Sequence, residues 1–232
     1  MNVPMRLVFV VCEGQTEETF VRDVLAPAFY PRLNLIGQII ETSPGHKGGA
    51  LSYQRVQRHL RNTLRQTSAP FVTTLFDLYR LDNEFPGYAD AAGKPLEQRL
   101  RFLNERFHEN VVAVAGCRPE QFLPYIQPYE FEALLFSDVP TLVGLETRWT
   151  SAEPKLQAVR DGAETPEHIN DGPATKPAAH LERHLTQPSY RKTLHGPTAA
   201  LLIGLAKIEQ QCHYFSAWLD SLRALATSGA QQ

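Results

Sequence analysis

Arg6-Leu7-Val8-Phe9-Val10-Val11-Cys12, running directly into Glu13-Gly14-Gln15-Thr16-Glu17, decides how the rest of the chain is read. Leu7 to Cys12 are apolar and mostly β-formers without polar alternation, the pattern of a strand buried on both faces of a parallel sheet. Thr16 is positioned to cap a helix with Glu17 and Glu18 in its first turn. Phe20, Val21, Val24, Leu25 and Ala28 then continue at helical spacing.

Outward from that stretch the same alternation repeats. A second strand is expected near Leu35–Ile40, then a loop over Ser43–Gly49, then a helix over Leu51–Gln66. At 100° per residue, Tyr53, Val56, Leu60 and Leu64 fall in an arc of about 80°, and Arg55, Arg58, Arg61 and Arg65 in an arc of about 120° opposite. Phe71–Phe76 reads as a third buried strand ending in Asp77. A Pro/Gly/Asp-rich loop follows over Leu81–Gly93. Pro95 then opens an amphipathic helix with Leu96, Leu100, Leu103, Phe107, Val111 and Val114 in register. Phe122–Ile126 is a fourth strand candidate. Residues 147–188 read as polar and loop-rich, with five prolines, and helices are expected over Tyr190–Ile208 and Tyr214–Ala226. Strands alternating with helices favour an α/β fold with a parallel core sheet flanked by helices. The expected organisation is a core over 1–140 and a loop-rich, helical C-terminal extension over 141–232 packed on it.

The composition narrows the classes. With 232 residues, 43% hydrophobic and 21% charged, the chain is neither collagen-like, disordered nor coiled-coil. Lys+Arg 23 against Asp+Glu 25 leaves a net charge of −2, so any nucleic-acid contact must rest on a local patch. Leu7–Cys12 is too short for a membrane span or a signal-peptide core. Cys12, Cys117 and Cys212 are odd in number and far apart, which reads as a reduced, cytoplasmic protein without a disulfide frame.

Chemistry-bearing residues gather at predicted strand ends. Ligands of an open parallel sheet bind beyond the carboxyl ends of its strands, where Glu13 and Asp77 are expected. Two carboxylates there suit a hard, oxygen-seeking cation such as Mg²⁺. Gly14 is read as allowing a tight turn and close approach to a ligand. Each acid alone reads equally as a helix cap or loop anchor. Glu130 and Glu132 lie within the apolar stretch Tyr129–Phe136. In a helix they point about 200° apart, in an extended segment the same way; the alternative is a pair of exposed acids on a core element.

Glu13-Gly14-Gln15-Thr16-Glu17, Phe76-Asp77-Leu78-Tyr79 with Phe85-Pro86-Gly87, and Gln127-Pro128-Tyr129-Glu130-Phe131-Glu132-Ala133-Leu134-Leu135-Phe136 resemble an uncharacterised bacterial Toprim-like family, a domain of unknown function related to the OLD-type Toprim nucleases. Ala174-Thr175-Lys176-Pro177 and Tyr190-Arg191-Lys192 fit the same pattern. The resemblance implies a Toprim-like three-layer fold, Mg²⁺ (or Mn²⁺) as cofactor, an AAA/SMC-like ATPase as partner, and work in defence against phage or other foreign DNA. By resemblance Glu13 takes the place of the Toprim glutamate and Asp77 that of the first Asp of the DxD pair. Tyr79 departs from the second Asp. Asp82, Glu84 or Glu132 would replace it, with Glu132 preferred, and Glu17 is expected either to ligate the metal or to support the residues that do.

Between Ser43 and Phe76 stand Lys47, Arg55, Arg58, Arg61 and Arg65 with no acid. Such a stripe neutralises phosphates or, equally, forms a solvated face or a dock for an acidic partner. His46-Lys47-Gly48-Gly49 lacks P-loop spacing, though its amides suit a phosphate at a helix start. Lys176, Arg183, Arg191 and Lys192 read as a second phosphate-contacting group. His180-Leu181-Glu182-Arg183-His184 matches neither zincin spacing, and no GxSxG elbow is present.

The expected function is Mg²⁺-dependent phosphodiester chemistry on nucleic acid. Glu13 and Asp77 are the catalytic pair, and Glu13, Asp77, Glu132 and Glu17 the metal ligands. Lys47, Arg55, Arg58, Lys176, Arg191 and Lys192 bind phosphates. The alternatives are a non-catalytic module that binds an ATPase or a nucleotide, and a phosphotransfer enzyme acting on a small ligand.

Overall fold

In the computed structural model, which describes residues 5–43, 46–47, 52–169 and 172–227 (41–43 and 46–47 by backbone), Arg6–Cys12 forms strand β1 over its whole expected length. Helix α1 (Gln15–Phe20) runs on through a π-helical segment, Val21–Leu25, into α2 (Ala26–Phe29). Then come β2 (Leu33–Ile39), the short strands β3 (Glu41–Ser43) and β4 (His46–Lys47), α3 (Tyr53–Leu64) and β5 (Phe71–Asp77). Helix α4 (Leu96–Ala115) leads to β6 (Phe122–Leu123) and β7 (Ile126–Gln127).

The sheet order is β2-β1-β5-β6, with β7 also on β5, and every pairing in it is parallel. β1 is central, with Val10 opposite Gly37 on β2 and Thr73 on β5. Its residues divide between two cores. Val8, Val10 and Cys12 pack with Phe20, Leu25, Phe131 and Phe215 on one face, while Phe9 and Val11 join Val56, Leu60, Leu103 and Phe107 on the other. That two-sided burial is why β1 lacks polar alternation. The result is three layers, with α3 and α4 covering one face, and α1 and the later helices the other.

Several elements differ from expectation. Thr16 does not cap α1: Gly14 holds the cap position and Thr16 is buried inside the helix. Glu41–Ser43 and His46–Lys47 form an antiparallel pair, β3 with β4, where a loop over Ser43–Gly49 was expected; Pro44, Gly45, Gly48 and Gly49 lie outside the described residues. The strand expected over Phe122–Ile126 is split by Pro124 into β6 and β7, because proline has no N–H for the ladder.

Residues 147–188 are substantially helical, with α5 (Val139–Val143) just before them. A 3₁₀ segment Thr147–Ala152, α6 (Glu153–Asp161) and α7 (Pro177–His184) follow. Their prolines Pro140, Pro154 and Pro177 stand in the first turn, where a missing N–H costs nothing, so they start helices instead of breaking them. The helix expected over Tyr190–Ile208 is two, α8 (Lys192–Ile203) and α9 (Leu205–Gln211), broken at Gly204 with φ of 83°. Helix α10 (His213–Thr227) closes the described chain. Among the described residues no helix is long and apolar enough to cross a membrane, and the three cysteines are free.

Candidate functional site

The chain leaves β1, turns through α1 to β2 on one side, then crosses back through α3 to β5 on the other. The carboxyl ends of β1 and β5 therefore flank the point where the winding reverses, the place where open α/β sheets hold ligands. Glu13 follows the first strand and Asp77 ends the second. The backbone N–H of Asp77 donates to Glu13 Oε2 at 3.4 Å, so the two acids are immediate neighbours.

Glu17 joins them because α1 begins at once: the N–H of Glu18 donates to the carbonyl of Gly14, which puts Glu13 and Glu17 one turn apart. Gly14 itself is extended, with φ of −156°, so the turn does not demand glycine. A Cβ there would meet Glu17 Oε2 at 3.3 Å, so the bare backbone makes room for the acid rather than for a tight bend.

Glu132 arrives by a less legible route. Tyr129 has φ of 56°, in the left-handed region that costs a residue with a Cβ on the order of 1 kcal/mol. The chain then enters a 3₁₀ helix, Phe131–Ser137, with Glu130 extended before it. Asp77 Oδ1 accepts the N–H of Phe131 at 2.8 Å, which fixes that helix against the end of β5. Neither Glu130 nor Glu132 is an exposed acid: both are buried, at 2% and 0%. Glu130 accepts from Lys176 Nζ at 2.7 Å and from the N–H of Ala178 at 3.0 Å, so it anchors the start of α7. Glu132 faces the acids.

At their centre is Lys192. Its Nζ lies 3.3 Å from Glu132 Oε2, 3.5 Å from Asp77 Oδ2 and 3.6 Å from Glu17 Oε1. Arg80 stands further out, 3.9 Å from Glu13 Oε1 and largely exposed. Three carboxylates thus share one close ammonium, with Glu13 beside them. Burial pushes the Glu13 carboxyl up to about 7, Glu17 adds to the rise, and Lys192, Arg80 and the Asp77 amide oppose it. Burial likewise raises Asp77 well above the carboxylate range, Lys192 working against the rise and Glu13, Glu17 and Glu132 with it. Glu132 is raised by burial, against Lys192. Burial would lower the Lys192 ammonium, yet Asp77, Glu132, Glu17 and Glu13 outweigh it and hold the pKa well above the lysine range.

Among the described residues no group of three or more His, Cys, Asp or Glu is arranged to hold a metal ion as it stands. The expected ligands Glu13, Asp77, Glu132 and Glu17 instead close on Lys192. Their chemistry nevertheless fits a hard cation. All donors are carboxylate oxygens, the acids outnumber the close cation, and neither buried Glu132 oxygen is satisfied by a hydrogen bond, Oε2 having only its ion pair with Lys192.

The expected phosphate-binding residues do not form one patch. Arg55 and Arg58 are exposed on α3, while Tyr53, Val56, Leu60 and Leu64 are buried, as the two arcs require. Arg65 is occupied, donating to the carbonyls of Val114 and Ala115 at the end of α4. Lys47 falls in β4, and Arg191 is exposed just before α8. Lys176 and Lys192 are turned onto carboxylates, because buried acids need a partner more than the surface needs a cation. Lys176 Nζ also lies 4.5 Å over the ring of Tyr79, the residue that the Toprim resemblance would set at the second Asp of the pair.

Of the other replacements for that position, Asp82 borders a small cavity with Glu13 and Arg80. Its oxygens, however, accept the N–H groups of Tyr53 and Glu84, each at 2.9 Å, so it caps α3. Glu84 accepts from Gln54 at 3.4 Å. The Phe85-Pro86-Gly87 motif is structural: Phe85 packs 4.6 Å from Phe107 and Gly87 has φ of 78°, where a Cβ would stand 2.8 Å from Phe102.

A protein-family model described as a domain of unknown function, DUF4276, matches residues 12–223. The chain belongs to that family. Comparison with curated proteins and with solved structures gave no match.

Proposed function

We propose that this member of the DUF4276 family carries out divalent-metal-dependent phosphodiester chemistry on nucleic acid, as a Toprim-like nuclease. The observation that carries the reading is the convergence of Glu13, Glu17, Asp77 and Glu132 at the carboxyl edge of a parallel sheet. These are the residues that would hold Mg²⁺ or Mn²⁺. When bound, the cation offsets the charge that develops on the phosphoryl group.

The chain's own groups divide the remaining work. Glu13, the most solvent-accessible of the four acids, is placed to take a proton from an attacking water. Asp77 and Glu132 define the cation position, with Asp77 tied to the Phe131 amide. Lys192, its side chain one-third exposed, would be free to meet the phosphate if a cation took its place among the acids. Arg55 and Arg58 hold the nucleic-acid backbone. The ATPase partner and the role in defence rest on the Toprim-like resemblance.

One observation favours a second reading. Lys192 already gives the carboxylates an internal cation, and Tyr79 stands where Toprim enzymes place a carboxylate. A non-catalytic binding module needs no more than that.

Cleavage and metal binding separate the two. With Mn²⁺ and a labelled oligonucleotide, the wild type should hydrolyse the strand. Glu13→Gln and Asp77→Asn should each lose on the order of a hundredfold in rate, with Mn²⁺ affinity reduced by calorimetry. Asn at 77 keeps an acceptor for the Phe131 amide, so the fold is preserved. Metal affinity unchanged in both variants would leave the enzyme reading without a site; tight binding with no cleavage would favour the module.

A further inference from the structure

A cavity of about 1220 Å³ lies across the carboxyl edge of the sheet, between α1 and α3 and against the end of β2. Gln15, from the first turn after Glu13, and Thr193, the neighbour of Lys192, form its end nearest the carboxylates. From there one wall is α3, with Arg55, Arg58 and Asn62, and the other is α1 with the π-helical segment that continues it, which carries Arg22.

Its charge is uneven. Glu18 also lines the cavity, but Arg22 pairs with it at 3.4 Å and with Asp23 at 2.7 Å. The side chains of Arg55 and Arg58 make no hydrogen bond or ion pair among the described residues, and both residues are exposed. Two cations are thus left over on the wall facing the cavity. Among the described residues lining it there is no Phe, Tyr or Trp. Single-strand binders that read or stack bases use aromatic platforms, whereas binders that only track the backbone use cations and polar groups.

We propose that this groove is the path of a single nucleic-acid strand, held by its phosphates on Arg55 and Arg58 and led past Gln15 and Thr193 to the carboxylates, without regard to sequence. The inference rests on the nucleic-acid reading above and adds the strand form, the route and the mode of recognition. A recess between two helices admits one flexible chain. The paired phosphates of a duplex lie on a convex surface that only a broad, open face can follow.

The test is a fluorescence-anisotropy titration of a labelled single-stranded oligonucleotide with the full chain in EDTA, so that binding is read apart from metal and cleavage. The wild type should bind with an affinity that falls linearly in log salt, and alike for two unrelated sequences. Arg55→Glu with Arg58→Glu should weaken binding at least tenfold. It should also flatten the salt slope by about 1.4, two contacts at about 0.7 each. Arg101→Glu, an exposed arginine on α4 lining a different cavity, should leave both unchanged. A duplex of the same sequence should compete at least tenfold less well. Wild-type affinity and slope in the Arg55/Arg58 variant, equal loss in Arg101→Glu, stronger competition by duplex, or no binding by the wild type would each overturn the proposal. If metal-dependent cleavage persists while the Arg55/Arg58 variant binds normally, the groove is wrong and the enzyme reading stands.

Discussion

An ammonium within 3.3–3.6 Å of Glu132, Asp77 and Glu17 neutralises one charge among four buried or half-buried acids, and the others must find protons or a cation. Replacing Lys192 by Met exposes that imbalance directly. Removing one partner from a buried ionic cluster costs about 3–5 kcal/mol, so the melting temperature of Lys192→Met should fall well below that of the wild type in EDTA. Added Mn²⁺ should then raise it more steeply than in the wild type, because a cation that binds only the folded state stabilises it by mass action. A variant that melts like the wild type, or that ignores Mn²⁺, would contradict the electrostatic description of the cluster. At this scale Glu13 and Asp77 were legible because each ends or follows an apolar run. Glu17 was included as an additional residue of the site, and its place one turn from Glu13 became clear only from the start of α1. Lys192 was recognisable as a functional cation, but its partners were not, since they lie 60 to 175 residues away in sequence and only the fold brings them close.

Helix starts carry the next set of consequences. Asp82 accepts the N–H of Tyr53 at the start of α3, a cap supplied from a loop 29 residues later. Asp82→Ala should cost about 1 kcal/mol in urea unfolding; a change near zero would mean that solvent serves the amide equally well. Glu167 does the same for α10, accepting from Tyr214 and Phe215 at 2.9 Å each. Burial nevertheless pushes its carboxyl up to about 7, outweighing those amides. A raised carboxyl pKa means that the folded protein holds a proton the unfolded chain releases. That contribution is full below about pH 4.5 and is lost as pH rises through 7. Relative to Glu167→Gln, the wild type should therefore lose up to about 3 kcal/mol between pH 4.5 and pH 7.5. Parallel stability curves for the two proteins would refute the assignment. The elements whose apolar residues keep one period, β1, α3, β5 and α4, were readable almost to their ends. Residues 147–188 were not, because first-turn prolines look like loop punctuation until the helices they open are seen.

For the molecule as a whole, the winding of the sheet explains why the candidate site is where it is. Helices leave β1 and β5 on opposite sides, so the acids at their ends meet at the carboxyl edge where the winding reverses, with Lys192 at the start of α8 closing over them. The α/β class and the parallel order follow from the strand patterns. The later helices bring Lys192 onto that edge, and no local pattern announced it. The most direct measurement is a crystal of the full chain soaked in Mn²⁺ and examined by anomalous scattering. The account predicts a peak ligated by Glu13, Asp77 and Glu132 carboxylates, with the Lys192 ammonium displaced from their midst. An empty anomalous map at saturating Mn²⁺, with Lys192 still bridging Asp77, Glu17 and Glu132, would contradict it.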